Sequence, residues 1–240
     1  MKTKRFSHEA AAHTIGGMFC HRHLHGAALA VTLVLKPAPA LHLGVDIAAL
    51  STMPPRQIQT MVREATAIWE PYGVALGWIR WSEKDLGLPA APDVLTVIRD
   101  DAPDQGATAT FGNQPLGTVW FLEGRGTAEN TMKLSIDAIR RTVEGAQWAS
   151  RRVADWPPAV RDELLGRAFG RVVAHEIGHY LLVWRAHTRD GLMRAAFPGG
   201  ILIQPERGPF ALSDRLVPRL RARLARLATP GSTVASVASP

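Results

Sequence analysis

The sequence predicts a mixed α/β (α+β) fold, in which one twisted, mixed sheet accompanies a long histidine-bearing helix and a C-terminal helix. Two patterns predict this class. Short apolar runs bounded by turn residues are typical of strands, and they alternate with segments whose apolar residues recur at helical spacing. A chain of 240 residues, 46% of them hydrophobic, is long and apolar enough to build one substantial core.

The first half of the chain alternates between strands and one helix. The segment 41–50 begins with strand-like alternation, and apolar residues recur at helical spacing over 55–72, behind prolines that suit a first helical turn. Segments 74–81, 93–100 and 117–124 have the apolar runs of strands, and Trp120 and Phe121 are expected to be core residues. The segment 107–114 is a candidate edge strand.

The second half is mainly helical. The polar region 125–156 contains one helical pattern and is expected to be a surface insertion. A long helix is predicted from the Pro157–Pro158 pair to about Leu181. A last helix is predicted from about Asp214, with Pro218 tolerated in its first turn, where backbone amides lack partners anyway. The tail 229–240 is expected to be disordered.

Residues 1–40 have the order of a signal peptide. Early positive charges precede an apolar run at 27–35, and small residues at 38 and 40 form an A-x-A-like cleavage site. The run is too short for stable membrane insertion, because a bilayer needs about 20 apolar residues. We therefore expect a leader over 1–40, a folded domain over 41–228 and a secreted or periplasmic location. The alternative is a cytoplasmic protein in which this run is a strand.

Composition excludes several classes of protein. The single cysteine, Cys20, excludes an intrachain disulfide framework and a thiolate metal cluster. The formal net charge of +7 comes largely from arginines at helical spacing in the second half, without interleaved aromatic residues. This pattern is typical of solvated helix faces, so we expect no nucleic-acid partner.

The segment HEIGH, residues 175–179, carries the clearest chemical signal. Four residues turn a helix through about 400°, so His175 and His179 project from nearly the same side and can hold one metal ion. In a zinc (Zn2+) site of this type, Glu176 is the general base that takes a proton from water rather than a ligand. The motif therefore predicts a catalytic zinc centre on the long helix.

A catalytic zinc usually has three protein ligands and one open position. His187 is the first candidate for the third ligand, because the helix is expected to end between His179 and His187 and let the chain turn back. Asp190 is the second candidate, and Glu206 is the third.

The pattern HEIGH, then His187, then Gly191-Leu192-Met193, resembles the metzincin class of zinc metallopeptidases. Leu182 and Arg185 stand where that class has a glycine and its third histidine. The resemblance implies a zincin-like fold, a methionine turn with Met193 beneath the metal, and an edge strand that holds an extended peptide or protein substrate. It implies a zinc metalloendopeptidase; the alternative is a catalytically inactive metal-binding or interaction protein with the same fold.

Overall fold

A five-stranded sheet is the centre of the part of the chain that the computed structural model describes, residues 41–79, 94–99, 115–122 and 127–228. All of these residues belong to one unit of the chain, 37–240. The expectations for the leader 1–40, the candidate edge strand 107–114 and the tail 229–240 lie outside the described residues.

The sheet is mixed, as the sequence predicts, and has the order β2-β1-β3-β5-β4. Its strands are β1 (Leu41–Asp46), β2 (Val74–Ile79), β3 (Val94–Arg99), β4 (Gly117–Leu122) and β5 (Thr127–Leu134). The pairs β1–β2, β1–β3 and β3–β5 are parallel, whereas β4 is antiparallel to β5. The strand β4 is therefore a terminal strand of the described sheet, and its direction differs from the other four.

Five α-helices within the described residues accompany the sheet. They are α1 (Pro55–Trp69), α2 (Ile136–Glu144), α3 (Pro158–Leu182), α4 (Gly199–Ile203) and α5 (Val217–Ala228). A short hairpin of β6 (Gln147–Trp148) and β7 (Arg151–Arg152) lies between α2 and α3 in the sequence. No helix within the described ranges is both long and apolar enough to cross a bilayer.

The helices α1 and α3 pack with their backbones in close contact, and this fixes the position of the histidine-bearing helix. A Cβ atom at Gly166 would lie 2.6 Å from the Gln57 carbonyl oxygen, and one at Gly170 would lie 2.6 Å from that of Met61. The indole of Trp69 donates a hydrogen bond to the Ala174 carbonyl (3.0 Å), one residue before the first motif histidine. Glycines one helical turn apart on α3 therefore set the depth at which α3 packs.

Two expectations from the sequence are wrong. The region 125–156 is not a surface insertion, because β5 pairs with both β3 and β4, and Met132 and Leu134 are fully buried. Most other residues of β5 are polar and half-buried, which hides the strand's alternation in the sequence. Trp120 is not a core residue: 38% of it is exposed, whereas Phe121 packs against the core.

The two long predicted helices are confirmed. The helix α3 begins at Pro158 and ends at Leu182, followed by Val183 in the left-handed region (φ 47°). The last helix begins at Val217, slightly later than expected, and Pro218 lies in its first turn. The change of direction after α3 thus uses a valine rather than a glycine, and it returns the chain toward the histidines.

Candidate metal centre

The helix α3 presents His175 and His179 side by side, as the four-residue spacing predicts. Both side chains are buried, and their ring centroids are 4.7 Å apart. The two Nε2 atoms face each other at 3.0 Å. Two zinc-bound nitrogens with ordinary bond lengths would be about 3.3 Å apart in a tetrahedral site, so this pair is already close to ligand spacing.

Backbone carbonyls determine which ring nitrogen of each histidine carries the proton. The Leu192 carbonyl lies 2.6 Å from His175 Nδ1, and the Trp184 carbonyl lies 2.5 Å from His179 Nδ1. A carbonyl oxygen only accepts hydrogen bonds, so both Nδ1 atoms are the donors. Both Nε2 atoms of the neutral rings then carry lone pairs, and these are the atoms that face each other.

The electrostatics of the pair favour neutral rings. Burial, and to a smaller extent the neighbouring His179, lowers the pKa of His175 to about 3. Burial also lowers the pKa of His179, although its hydrogen bond to the Trp184 carbonyl acts in the opposite direction. Two neutral imidazoles with lone pairs 3.0 Å apart repel each other unless a cation lies between them. The arrangement therefore favours a metal ion.

His187 completes the group, as expected. Its ring is parallel to that of His175 at 5.4 Å (12° between planes) and perpendicular to that of His179 at 5.0 Å. One nitrogen from each of the three rings lies within 4.8 Å of the other two. His187 is the exposed member at the rim of the site, and its partial desolvation lowers its pKa.

The other candidate ligands lie outside this group. Among the described residues, the three histidines are the set of histidine, cysteine and carboxylate groups whose ligand atoms converge. Asp190 is exposed, and its carbonyl accepts a hydrogen bond from the Thr188 hydroxyl (2.6 Å). Glu206 is also exposed, and its carbonyl accepts one from Arg171 (2.9 Å). The structure thus brings together His175, His179 and His187 without either carboxylate.

The turn that follows His187 contacts His175 and the helix that carries both motif histidines. Gly191 adopts the left-handed conformation (φ 73°), and the next amide, that of Leu192, donates to the Ala211 carbonyl (2.8 Å). This contact fixes the Leu192 carbonyl that holds His175. Met193 is buried, and its sulfur packs against the backbone of Gly178, between the two motif histidines. The methionine thus packs against α3 next to the two motif histidines.

Glu176 lies in the same buried region, next to the start of β4. Only 3% of its surface is exposed, and burial raises the pKa of Glu176 to about 8. A Cβ atom at Gly117 would lie 2.6 Å from its Oε1 atom, so the carboxylate packs directly against that glycine. A cation in the histidine group would favour the ionised carboxylate and lower this pKa.

Several residues of the centre leave no mark in the sequence. The carbonyls of Leu192 and Trp184 act through the backbone, which is the same for every residue, so no residue type could indicate them. Phe197 packs edge-on against the His175 ring at 5.8 Å. Gly117 is visible in the sequence only as the first residue of a strand. The spacing of residues in the sequence predicts none of these contacts, because each depends on which distant segment of the chain packs against the histidines.

The chain was also compared with known proteins. It matches no protein-family model, and it matches no curated protein. What the fold and the site define is therefore an α/β protein with a mostly parallel five-stranded sheet. Its long helix and the following turn bring together three histidines that could hold a metal ion.

Proposed function

We propose that this protein is a zinc-dependent metallopeptidase, a hydrolase of peptide bonds with Glu176 as its general base. The observation that carries the proposal is the pair of Nε2 atoms 3.0 Å apart, each with its Nδ1 bonded to a carbonyl. This geometry leaves two lone pairs facing one point, where a cation fits. Three imidazole nitrogens suit zinc, and a set of three protein ligands is typical of catalytic rather than structural zinc.

Each residue then has a distinct role. His175, His179 and His187 would hold the zinc and leave one coordination position open. Bound zinc supplies a Lewis acid that polarises the scissile carbonyl and lowers the pKa of a water molecule. Glu176 takes a proton from the attacking water and delivers it to the leaving amine. The burial of Glu176 against Gly117 holds its carboxylate in one place and keeps bulk water away.

The position of β4 supports a peptide or protein as the substrate. This strand is terminal in the described sheet, and its first residue, Gly117, contacts the proposed base. An extended peptide could add to such a strand through main-chain hydrogen bonds, which would place its backbone beside Glu176. Trp120 and Leu122, with 38% and 39% of their surfaces exposed, would offer apolar contacts to its side chains.

The experiment measures the zinc content of the full-length chain and its cleavage of a peptide library. We expect about one zinc per chain, in line with a three-ligand catalytic site. His187→Ala should bind zinc much more weakly, whereas His42→Ala should behave as the parent, because His42 is an exposed histidine on β1. Glu176→Gln should keep zinc and lose cleavage. A parent chain without zinc after reconstitution would contradict the proposal.

Two outcomes favour other assignments. Full zinc binding without cleavage of any peptide would favour the alternative, a catalytically inactive metal-binding or interaction protein. If His187→Ala binds as much zinc as the parent, the third ligand is Asp190 or Glu206 instead of His187. The variants Asp190→Asn and Glu206→Gln would distinguish these two.

We also propose export, on the sequence of residues 1–40. Sequencing the N terminus of the protein recovered from cells tests this directly. A new N terminus near residue 41 supports a secreted or periplasmic protein. An unprocessed N terminus would favour the cytoplasmic alternative.

A further inference from the structure

A groove separate from the histidines lies where α5 meets the end of α3. Its volume is about 520 Å3. Its lining consists of Leu182, Val183, Arg219, Ala222, Arg223 and Arg226. Three of these six residues are arginines, and they come from successive turns of α5, so their side chains lie along the same side of the helix.

The groove has an excess of positive charge. None of its three arginines forms an ion pair with a residue in the described part of the chain. The adjoining segment 229–240 contains no aspartate or glutamate, so its side chains supply no counter-charge. Three guanidinium groups on one wall raise the local concentration of anions.

Arg219 is held in this groove by three contacts. Its Nε donates to the Leu182 carbonyl (2.8 Å), and one terminal nitrogen donates to the Val183 carbonyl (3.0 Å). Its guanidinium also lies over the Trp184 ring, 4.6 Å from the centroid. These contacts fix one cationic group at the end of α3 and leave the remaining N–H groups of Arg219 for a ligand.

The second observation concerns Arg223. Its Nε atom is buried, and no described residue accepts its hydrogen bond. The indole nitrogen of Trp184, whose ring lies under the Arg219 guanidinium, is also buried and has no acceptor among the described residues. Buried donors are nearly always paired, and a charged donor without an acceptor is the most unfavourable case. Arg223 also lines the groove, so an anion bound there lies beside a guanidinium whose Nε–H group has no acceptor among the described residues.

We propose that this groove is a binding site for a phosphate-type oxyanion. A phosphate group carries nearly two negative charges and several acceptor oxygens, which matches three guanidinium groups along one wall better than one carboxylate does. The volume exceeds that of one phosphate ion, so the group can be part of a small phosphorylated molecule or a lipid headgroup. The site does not depend on the zinc centre or on peptidase activity.

The test titrates inorganic phosphate into the full-length chain at constant ionic strength, with chloride as the reference anion. Calorimetry gives the affinity, and the NMR signal of the Arg223 Nε–H group reports contact with the ligand. We expect Arg223→Gln to weaken binding by about tenfold or more, because it removes one charge-assisted hydrogen bond. Arg221→Gln is the matched control: it removes the same charge from an exposed residue of α5 that does not line the groove. Its affinity should stay within about twofold of the parent.

A second arm separates the two sources of phosphate. It uses phosphatidylcholine vesicles with and without phosphatidic acid, and the same three proteins. Binding of inorganic phosphate with loss in Arg223→Gln supports a small-molecule phosphate site. Binding only to phosphatidic acid vesicles, again lost in Arg223→Gln, supports a lipid headgroup. Equal loss in Arg223→Gln and Arg221→Gln, or no binding in either arm, would overturn the proposal. Circular dichroism of both variants confirms that they remain folded.

Discussion

Gly117→Ala tests whether Glu176 acts from the position in which the structure holds it. The added Cβ would lie 2.6 Å from Glu176 Oε1, 2.8 Å from Cγ and 2.9 Å from Cδ. Ordinary contacts begin at 3.4 Å, so the carboxylate must retreat by 3.4 − 2.6 = 0.8 Å. The backbone at Gly117 is not in the left-handed region, so alanine itself is tolerated there. The variant therefore displaces the proposed base without changing its chemistry.

The expected loss follows from that displacement. A misplacement of about 1 Å at a reacting group costs about 100-fold in rate, so we expect kcat to fall by roughly 30- to 100-fold. The added Cβ overlaps most of a buried side chain, so the free energy of unfolding should fall by about 1–3 kcal/mol. Zinc content should equal that of the parent, because no ligand moves.

The assay compares kcat on a fluorogenic peptide from the library screen, zinc content and thermal unfolding. The matched control is Gly77→Ala in β2, where the nearest atom to the added Cβ is the Leu43 carbonyl oxygen at 3.9 Å. Its kcat should equal that of the parent. Parental kcat in Gly117→Ala, beside an inactive Glu176→Gln, would refute the argument from position. Loss of zinc in Gly117→Ala would show that the glycine supports the metal centre instead.

Three further predictions concern stability. Gly178→Ala should lower the free energy of unfolding by about 1–3 kcal/mol, because its Cβ would overlap the methionine sulfur beneath the helix. Gly200→Ala has no atom within 4 Å of the added Cβ and should be neutral in the same denaturant titration. Glu64→Gln should cost about 3–5 kcal/mol, because it leaves a fully buried arginine without its charged partner. Arg63→Gln breaks a pair in which the arginine is 59% exposed, and it should cost less than about 1 kcal/mol in urea unfolding. In chelator, burial keeps the pKa of Glu176 raised to about 8 in the folded state, so the folded chain retains a proton that the unfolded chain releases. Below about pH 6.5, the ordinary pKa of histidine, the buried histidines also contribute to the pH dependence of stability. Between about pH 6.5 and 8, the free energy of unfolding should therefore fall by about 1.4 kcal/mol per pH unit through Glu176 alone. A slope unchanged in Glu176→Gln would contradict that assignment.

The sequence predicts the regular elements best where periodicity is strong. The strands β1 to β4 and the helices α1, α3 and α5 lie where apolar spacing places them. It fails for β5, because only Met132 and Leu134 of that strand are fully buried and most of the remaining residues are polar. It also fails for Trp120, because a terminal strand leaves part of its surface exposed. Strand position in a sheet depends on distant pairing, which local patterns do not contain.

A buried ion pair was also invisible in the sequence. Arg171 is completely buried and donates to Glu64 (2.9 Å), and its guanidinium lies 4.2 Å from the Phe210 ring centroid. Arg207 donates to the other oxygen of the same carboxylate (2.8 Å). An arginine on a helix usually indicates a solvated face, so the sequence favoured the wrong environment for Arg171. The pairing arises only because α1 and the loop after α4 meet at this point of α3.

The sequence by itself determined the helical part of the candidate centre. Spacing on a helix places His175, Glu176 and His179 together, since 3.6 residues per turn is a property of the backbone. Only the tertiary structure decided that His187 returns to them and that the Leu192 and Trp184 carbonyls hold the ring protons away from the shared space. It also decided that Gly117 lies against the glutamate. The physical reason is the distance along the chain over which each effect acts. Helical spacing relates residues a few positions apart, whereas a carbonyl or a glycine from a distant segment reaches the centre only through the packing of the whole domain.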